Sequence, residues 1–246
     1  KGRKNRRLVM KTGERLIGVF IKPRETFDSL AEKPVWVDAL IIVLIALAIY
    51  SYLVAPFAAR DSYTLFQQST KLKQQLGEEK FQTFLEGARK KAEEMTTTTR
   101  LTQAVTGSLV GVIGLLFQAL LLFVLAKFFS PHGTYLQVMT ALFHANFINA
   151  ILGNGLRYLL ISAKQSVYNV STGLAVFFPR LDPTSSSYMI LTSIDFFQLW
   201  MFGVLAYGLS AIFKIDMRKS LIISYLFWGL KTLFNIAMSI WGMSRL

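Results

Sequence analysis

The chain has 246 residues, 53% of them hydrophobic, 27 Lys+Arg against 14 Asp+Glu, and no cysteine. The apolar residues gather in blocks longer than a soluble domain uses, and runs of about 18 or more have one common physical reading, a bilayer span. Without cysteine there are no disulfides, thiolate metal sites or thiol nucleophiles, and a net charge of +13 in such a chain points to anionic headgroups and topology rather than to nucleic acid.

In chain order, residues 1–34 form a basic tail with amphipathic juxtamembrane helices. Leu16, Ile17, Val19, Phe20 and Ile21 supply apolar surface among cations. Pro23, suited to a first helical turn, opens a short helix to Ala31 in which Phe27, Leu30 and Ala31 share a face. Phe20, Phe27 and Leu30 are therefore expected to lie in the headgroup region. The chain opens on Lys1 rather than Met, so residues are expected upstream, and what stands here carries no secretory signal.

Residues 35–246 are expected to form an all-α membrane domain of five transmembrane helices. The first span covers about 35–59. The segment 60–100 follows, with Leu65, Leu72 and Leu76 and then Phe81, Phe84, Leu85 and Ala88 at helical spacing on either side of Gly77, which predicts two amphipathic helices. Thr96 to Thr99 form a polar hinge into the second span, 101–129, in which no charge occurs from Leu101 to Ala126. The third, 135–163, is long and polar. The fourth, 188–213, holds one charge, Asp195, and the fifth, 220–243, holds one, Lys231. Each can cross a hydrocarbon core of about 30 Å. No internal repeat is visible, which gives an inverted-repeat transporter no support.

The excess of Lys and Arg before Lys33 places the N-terminus in the cytoplasm. Five spans then put Ser130 to Thr134 and the basic turn Lys214 to Lys219 inside, and the C-terminus outside. The segment 60–100, with eight Lys/Arg and six acids, falls outside.

The order of several short motifs carries a resemblance. Lys22-Pro23-Arg24-Glu25-Thr26-Phe27 with Leu30 and Pro34 leads into the first span. Gly173-Leu174, Leu181-Asp182-Pro183, Ser193-Ile194-Asp195-Phe196-Phe197-Gln198-Leu199-Trp200 and Gly208-Leu209 follow, before a basic turn into the last span. Over nearly its full length the chain resembles bacterial Yip1-domain proteins; the basic stretch before Leu8 is less typical of them. The resemblance implies a five-span protein of a bacterial plasma membrane with no known catalytic activity. It further implies an accessory or assembly role beside another membrane protein, such as an ABC-type exporter. The Rab-linked traffic of eukaryotic relatives is not carried over.

Charged and polar groups at membrane depth are the remaining site candidates. Asp195 and Lys231 are counted to similar depths, about 10 Å below the outer surface, and are expected to pair, because either alone would carry a large desolvation penalty. Asn146, Asn149, Gly153 and Arg157 fall at i, i+3, i+7 and i+11, one polar stripe facing protein, with Arg157 near enough to the span end to reach the headgroups. Gly107, Gly111 and Gly114 form a small-residue face for helix packing. His144 lacks a second ligand at metal spacing, and no nucleophile elbow, phosphate loop or paired catalytic acids occur. No cofactor or metal is expected.

Two functions remain in view. The first is a non-enzymatic scaffold or accessory subunit that meets anionic headgroups on the cytoplasmic side and a second membrane protein. The second is a small transporter or channel built on the polar residues of spans three to five. Homo-oligomerisation stays open.

Overall fold

The computed structural model describes residues 10–183 and 185–243. Several of the cations counted for orientation, Lys1, Arg3, Lys4, Arg6 and Arg7, lie outside the described residues. The fold is all-α: among the described residues there is no strand, only an isolated antiparallel bridge between Gly173 and Asp195. Five helices are long and apolar enough to cross a membrane, Val37–Gln68, Thr97–Lys127, Tyr135–Lys164, Phe196–Phe213 and Met217–Gly242.

Their burial follows their polarity. In the third, the least apolar of the five, 72% of the apolar window is enclosed by protein, against 17% in the first and 28% in the second. A polar helix is tolerated at that depth because protein, not lipid, surrounds it. The first and second turn aliphatic ridges outward instead. Ile41, Ile45 and Ile49 recur every four residues at about half exposure, and Ile113 and Phe117 are 63% and 59% exposed. Apolar faces this continuous are stable in hydrocarbon and not in water.

The described chain separates into two compact units. Unit one comprises the residues up to Leu44, Val110–Ile151 and Gln198–Gly229. Its N-terminal helices, α1 (Thr12–Ile21) and α2 (Pro23–Glu32), both pack on α7 (Tyr135–Ala145). Thr134 and Gln137 close a capping box at the start of α7, and Gln137 Nε2 also donates to Ala31 O at 2.6 Å, tying the end of α2 to that start. Phe27 and Leu30 are buried to 1% and 3% exposure, so the expectation that they lie among headgroups is corrected. The reason is steric. Gly208 leaves room for the Phe27 ring, since a Cβ there would stand 3.0 Å from both Phe27 Cδ1 and Ala141 Cβ. Phe20 is half-buried edge-on to Trp200, with ring centres 6.2 Å apart. The outward face of α1 is carried by Ile17 and Ile21, 55% and 68% exposed.

Unit two comprises Ile45–Leu109, Leu152–Phe197 and the residues from Leu230 onward. Here α3 (Val37–Gln68) runs well past the expected limit at residue 59 and through Arg60 and Asp61. After the Ser69 cap come α4 (Thr70–Leu76) and α5 (Glu78–Glu93), with Gly77 at φ 75° between them. The second expected amphipathic helix is thus present as α5, whereas the first is divided: Leu65 belongs to the extension of α3, and Leu72 and Leu76 to the short α4. Lys73 and Glu78 pair at 2.9 Å across the Gly77 turn, Phe66 meets Phe84 edge-on with centroids 5.0 Å apart, and Phe81 is buried. The Lys73 ammonium holds the Glu78 carboxyl below its usual pKa.

Pro56 sits inside α3 and has no N–H to give to the carbonyl of Tyr52 four residues back. Arg100, in α6 (Thr97–Lys127), takes that acceptor: its Nε and Nη2 each reach Tyr52 O at 3.4 Å, while its guanidinium stands 4.3 Å from the Tyr52 ring centre.

The third long helix is not uniform. Between α7 and α8 (Asn154–Lys164) lies a π-helical turn, Ile148–Gly153. The fourth span is shorter than the expected 188–213. A separate helix α9 (Ser186–Ser193) ends before α10 (Phe196–Phe213), and the break falls on Ile194 and Asp195. The last helix, α11 (Met217–Met243), starts where Asp216 Oδ1 accepts the Lys219 amide at 2.9 Å, which keeps that exposed carboxyl below its usual pKa.

Candidate functional site

Three charged residues of unit two, Arg157, Asp195 and Lys231, are associated with the break before α10. Residues 172–174 lie against residues 194–196 in a single antiparallel bridge, with Leu174 N donating to Ile194 O at 3.1 Å and Phe196 N to Thr172 O at 3.2 Å. Only glycine fits at position 173: a Cβ would fall 2.5 Å from Thr192 O and 2.9 Å from Ile194 O. This bridge takes Ile194 and Asp195 out of helical geometry, so Asp195 stands just before the first turn of α10 rather than seven residues inside a span. An anion is favoured there by the helix dipole.

Asp195 is 8% exposed, and its ion-pair partner is Arg157, with Nη2 to Oδ2 at 3.0 Å. Arg157 Nη1 donates to Asn154 Oδ1 at 2.8 Å and Nε to Thr172 Oγ1 at 2.9 Å, while the Thr172 hydroxyl donates to Asp195 Oδ2. The guanidinium also lies 5.9 Å from the Phe197 ring centre. All three nitrogens of Arg157 are therefore directed at protein oxygens, the condition under which a buried charge is tolerated. The long side chain that could have reached the headgroups turns inward instead. Lys231, half-buried on α11, acts on Asp195 through space as a second cation. Asp195 and Lys231 thus belong to one electrostatic cluster, in which Arg157 and Thr172 both hydrogen-bond the carboxylate.

Sequence spacing missed Asn154 and Thr172. Asn154 stands three residues before Arg157 on α8 and could have been paired with it. Thr172 lies in a loop, where no periodicity points to it.

The polar stripe does not persist as one line. Asn146 caps the end of α7 and is 4% exposed, Asn149 lies in the π turn, and Arg157 follows in α8. The i, i+3, i+7, i+11 spacing assumes a continuous 3.6-residue period, and a π turn shifts the register of all that follows. In unit one, His144 is 1% exposed with Nδ1 2.8 Å from Thr140 O, its ring tilted against Phe147 at 5.3 Å. An ion pair of unit one, buried Arg15 with half-buried Asp38, also engages Thr12 and the Met10 carbonyl and anchors α1 to the start of α3. Spacing did not reveal this pair either, since its members are 23 residues apart.

The three glycines of α6 differ. A Cβ at Gly107 would stand 3.1 Å from Ser51 Oγ, so this glycine allows close approach to α3. At Gly114 a Cβ would meet nothing within 4 Å, and Gly111 is half-buried. Among the described residues, no three His, Asp or Glu stand together as a metal site.

Compared with protein families, residues 17–239 match the Yip1 domain. No curated protein and no solved structure is matched.

Proposed function

The chain belongs to the Yip1-domain family of membrane proteins, and from that premise we propose that it is a non-enzymatic integral membrane scaffold or accessory subunit. Its partner is a second membrane protein, with an ABC-type exporter as the partner class. It resides in a bacterial plasma membrane with the N-terminus in the cytoplasm and the C-terminus outside. The Lys and Arg distribution supports that orientation, since the tail before Lys33 and the turn from Lys214 to Lys219 are both rich in cations.

The observation that carries the reading is the arm formed by the end of α3, α4 and α5. It is a folded structure rather than a linker, held by the Phe66–Phe84 contact, buried Phe81 and the Lys73–Glu78 pair. It presents an outer face of Lys80, Glu86, Lys90 and Lys91. An ordered charged arm costs conformational entropy to fix, and an extended polar surface for a partner is the return for that cost. The closed network around Arg157 supports the same reading, because its charges hold the chain to itself.

Photo-crosslinking side chains placed at Lys80 and Lys90 in native membranes test the proposal. The expected result is a covalent adduct with a subunit of a membrane complex, identified by mass as an exporter component. Adducts with lipid alone, from a folded and membrane-inserted protein, would contradict it.

A further inference from the structure

At Lys164 the helix α8 ends through Gln165, which takes the left-handed conformation at φ 55°, and the following loop folds back as a fixed structure. Asp61 holds its beginning: Oδ2 accepts Ser166 Oγ at 3.0 Å, Val167 N at 2.6 Å and Tyr168 N at 3.2 Å. The Gly173–Asp195 bridge holds its middle.

Within this frame two cavities of about 420 and 470 Å³ adjoin, with Val170, Pro183 and Tyr188 common to both. Leu160, Ala175 and Leu181 form walls of the first, and Leu65, Val167 and Met189 walls of the second. Tyr188 is held in place between them: its amide donates to the Ser185 cap at 3.2 Å and its hydroxyl to Tyr168 O at 3.0 Å.

The first cavity has a polar edge. Lys164 lines it, exposed, with Nζ donating to Asn169 O at 2.8 Å, and Ser171 lies on the same edge. Beside the cavity, the 3-10 turn Leu174–Phe177 buries Ala175 to 2% exposure but leaves Val176, Phe177 and Phe178 57%, 74% and 50% exposed. Large apolar side chains left this exposed in the loop between α8 and α9 form a surface suited to lipid.

Each cavity falls within the usual volume of a small-molecule site, about 300–1,000 Å³. Their walls are mostly apolar, with Thr192, Ser193 and Ser239 among those of the second, the edge of the first carries an ammonium, and the adjoining surface is compatible with lipid. A fixed ring dividing two apolar spaces suits two hydrocarbon chains joined at one polar head. The geometry points to a binding site for a diacyl phospholipid with an anionic headgroup, one chain on each side of Tyr188 and the head phosphate at Lys164. Phe177 and Phe178 rest in the membrane interface beside it. The site needs no partner protein and stands independently of the scaffold reading.

Native mass spectrometry of the full chain released from detergent, with dioleoyl phosphatidylglycerol or dioleoyl phosphatidylcholine added, tests this. One phosphatidylglycerol per chain should be retained, about fivefold more readily than phosphatidylcholine, and Lys164→Ala should bring the two lipids level. Leu160→Trp, which fills the first cavity, should lower retention of both about tenfold, the loss expected for about two buried methylenes. Val176→Trp, at a more exposed point of the same wall, should do likewise and serves if Leu160→Trp does not fold. Unchanged retention in a folded tryptophan variant would overturn the site. So would a headgroup preference that survives Lys164→Ala, or a single-chain lysophosphatidylglycerol held as firmly as the diacyl lipid.

Discussion

Asp195 and Arg157 illustrate how a charge is kept away from water inside the fold. Neither is isolated, for Asn154 and Thr172 complete the hydrogen bonding around them, with Asn154 Oδ1 2.8 Å from Arg157 Nη1. Removing one member of such a pair leaves the other desolvated and unpaired, at a cost of about 3–5 kcal/mol. Asp195→Asn and Arg157→Met are each expected to lower folding stability by about that amount, measured by reversible unfolding in detergent. The exchange Asp195→Arg with Arg157→Asp should recover a substantial part of it. Lys231→Met should cost less than either, because Asp195 keeps its direct partner. An exchange variant as unstable as the single variants would contradict the assignment. That Asp195 would need company was legible from its apolar surroundings. That the company would be Arg157 was not, because the pair is closed by a bridge between Gly173 and Asp195 that no helical period encodes.

At the scale of elements, the sequence reads well where a helix is continuous and poorly where it is interrupted. The long apolar runs, the stop at Gly77 and the opening of α2 at Pro23 all follow from local chemistry and are present. The π turn Ile148–Gly153 displaces the polar stripe, and the break at Ile194 and Asp195, made by the bridge to Gly173, shortens the fourth span; neither is marked by a helical period. Phe27 and Leu30 mark the same limit: an amphipathic helix presents an apolar face, but its sequence does not say whether lipid or Gly208 will receive it. Pro56 is a case in which the interruption is compensated. Arg100 serves the carbonyl that proline leaves free, with both contacts at 3.4 Å, so the two residues are coupled. Arg100→Ala should cost about 1–2 kcal/mol in the native background, from the lost hydrogen bonds and ring contact. In a Pro56→Ala background, where an amide can satisfy Tyr52 O, the same change should cost about 1 kcal/mol less. Equal costs in the two backgrounds, measured as a double-mutant cycle, would show that Arg100 does not fill this role.

At the scale of the molecule, five apolar helices and the Yip1-domain match agree on a multi-pass membrane protein. Exposed ridges such as Ile41, Ile45 and Ile49 require hydrocarbon, while the enclosed third helix carries the polar residues. Composition predicts this level of organisation because the bilayer imposes it on any chain that crosses. Side-chain partners remain hidden from composition because they depend on how helices meet.

The absence of native cysteine makes one measurement clean: labelling of single cysteines in intact cells by a maleimide that cannot cross the membrane. With five crossings and a cytoplasmic N-terminus, Lys80→Cys and Asn169→Cys should react from outside, while Lys33→Cys, His132→Cys and Arg218→Cys should react only after the membrane is opened. Equal labelling of all five positions in intact cells would contradict the account.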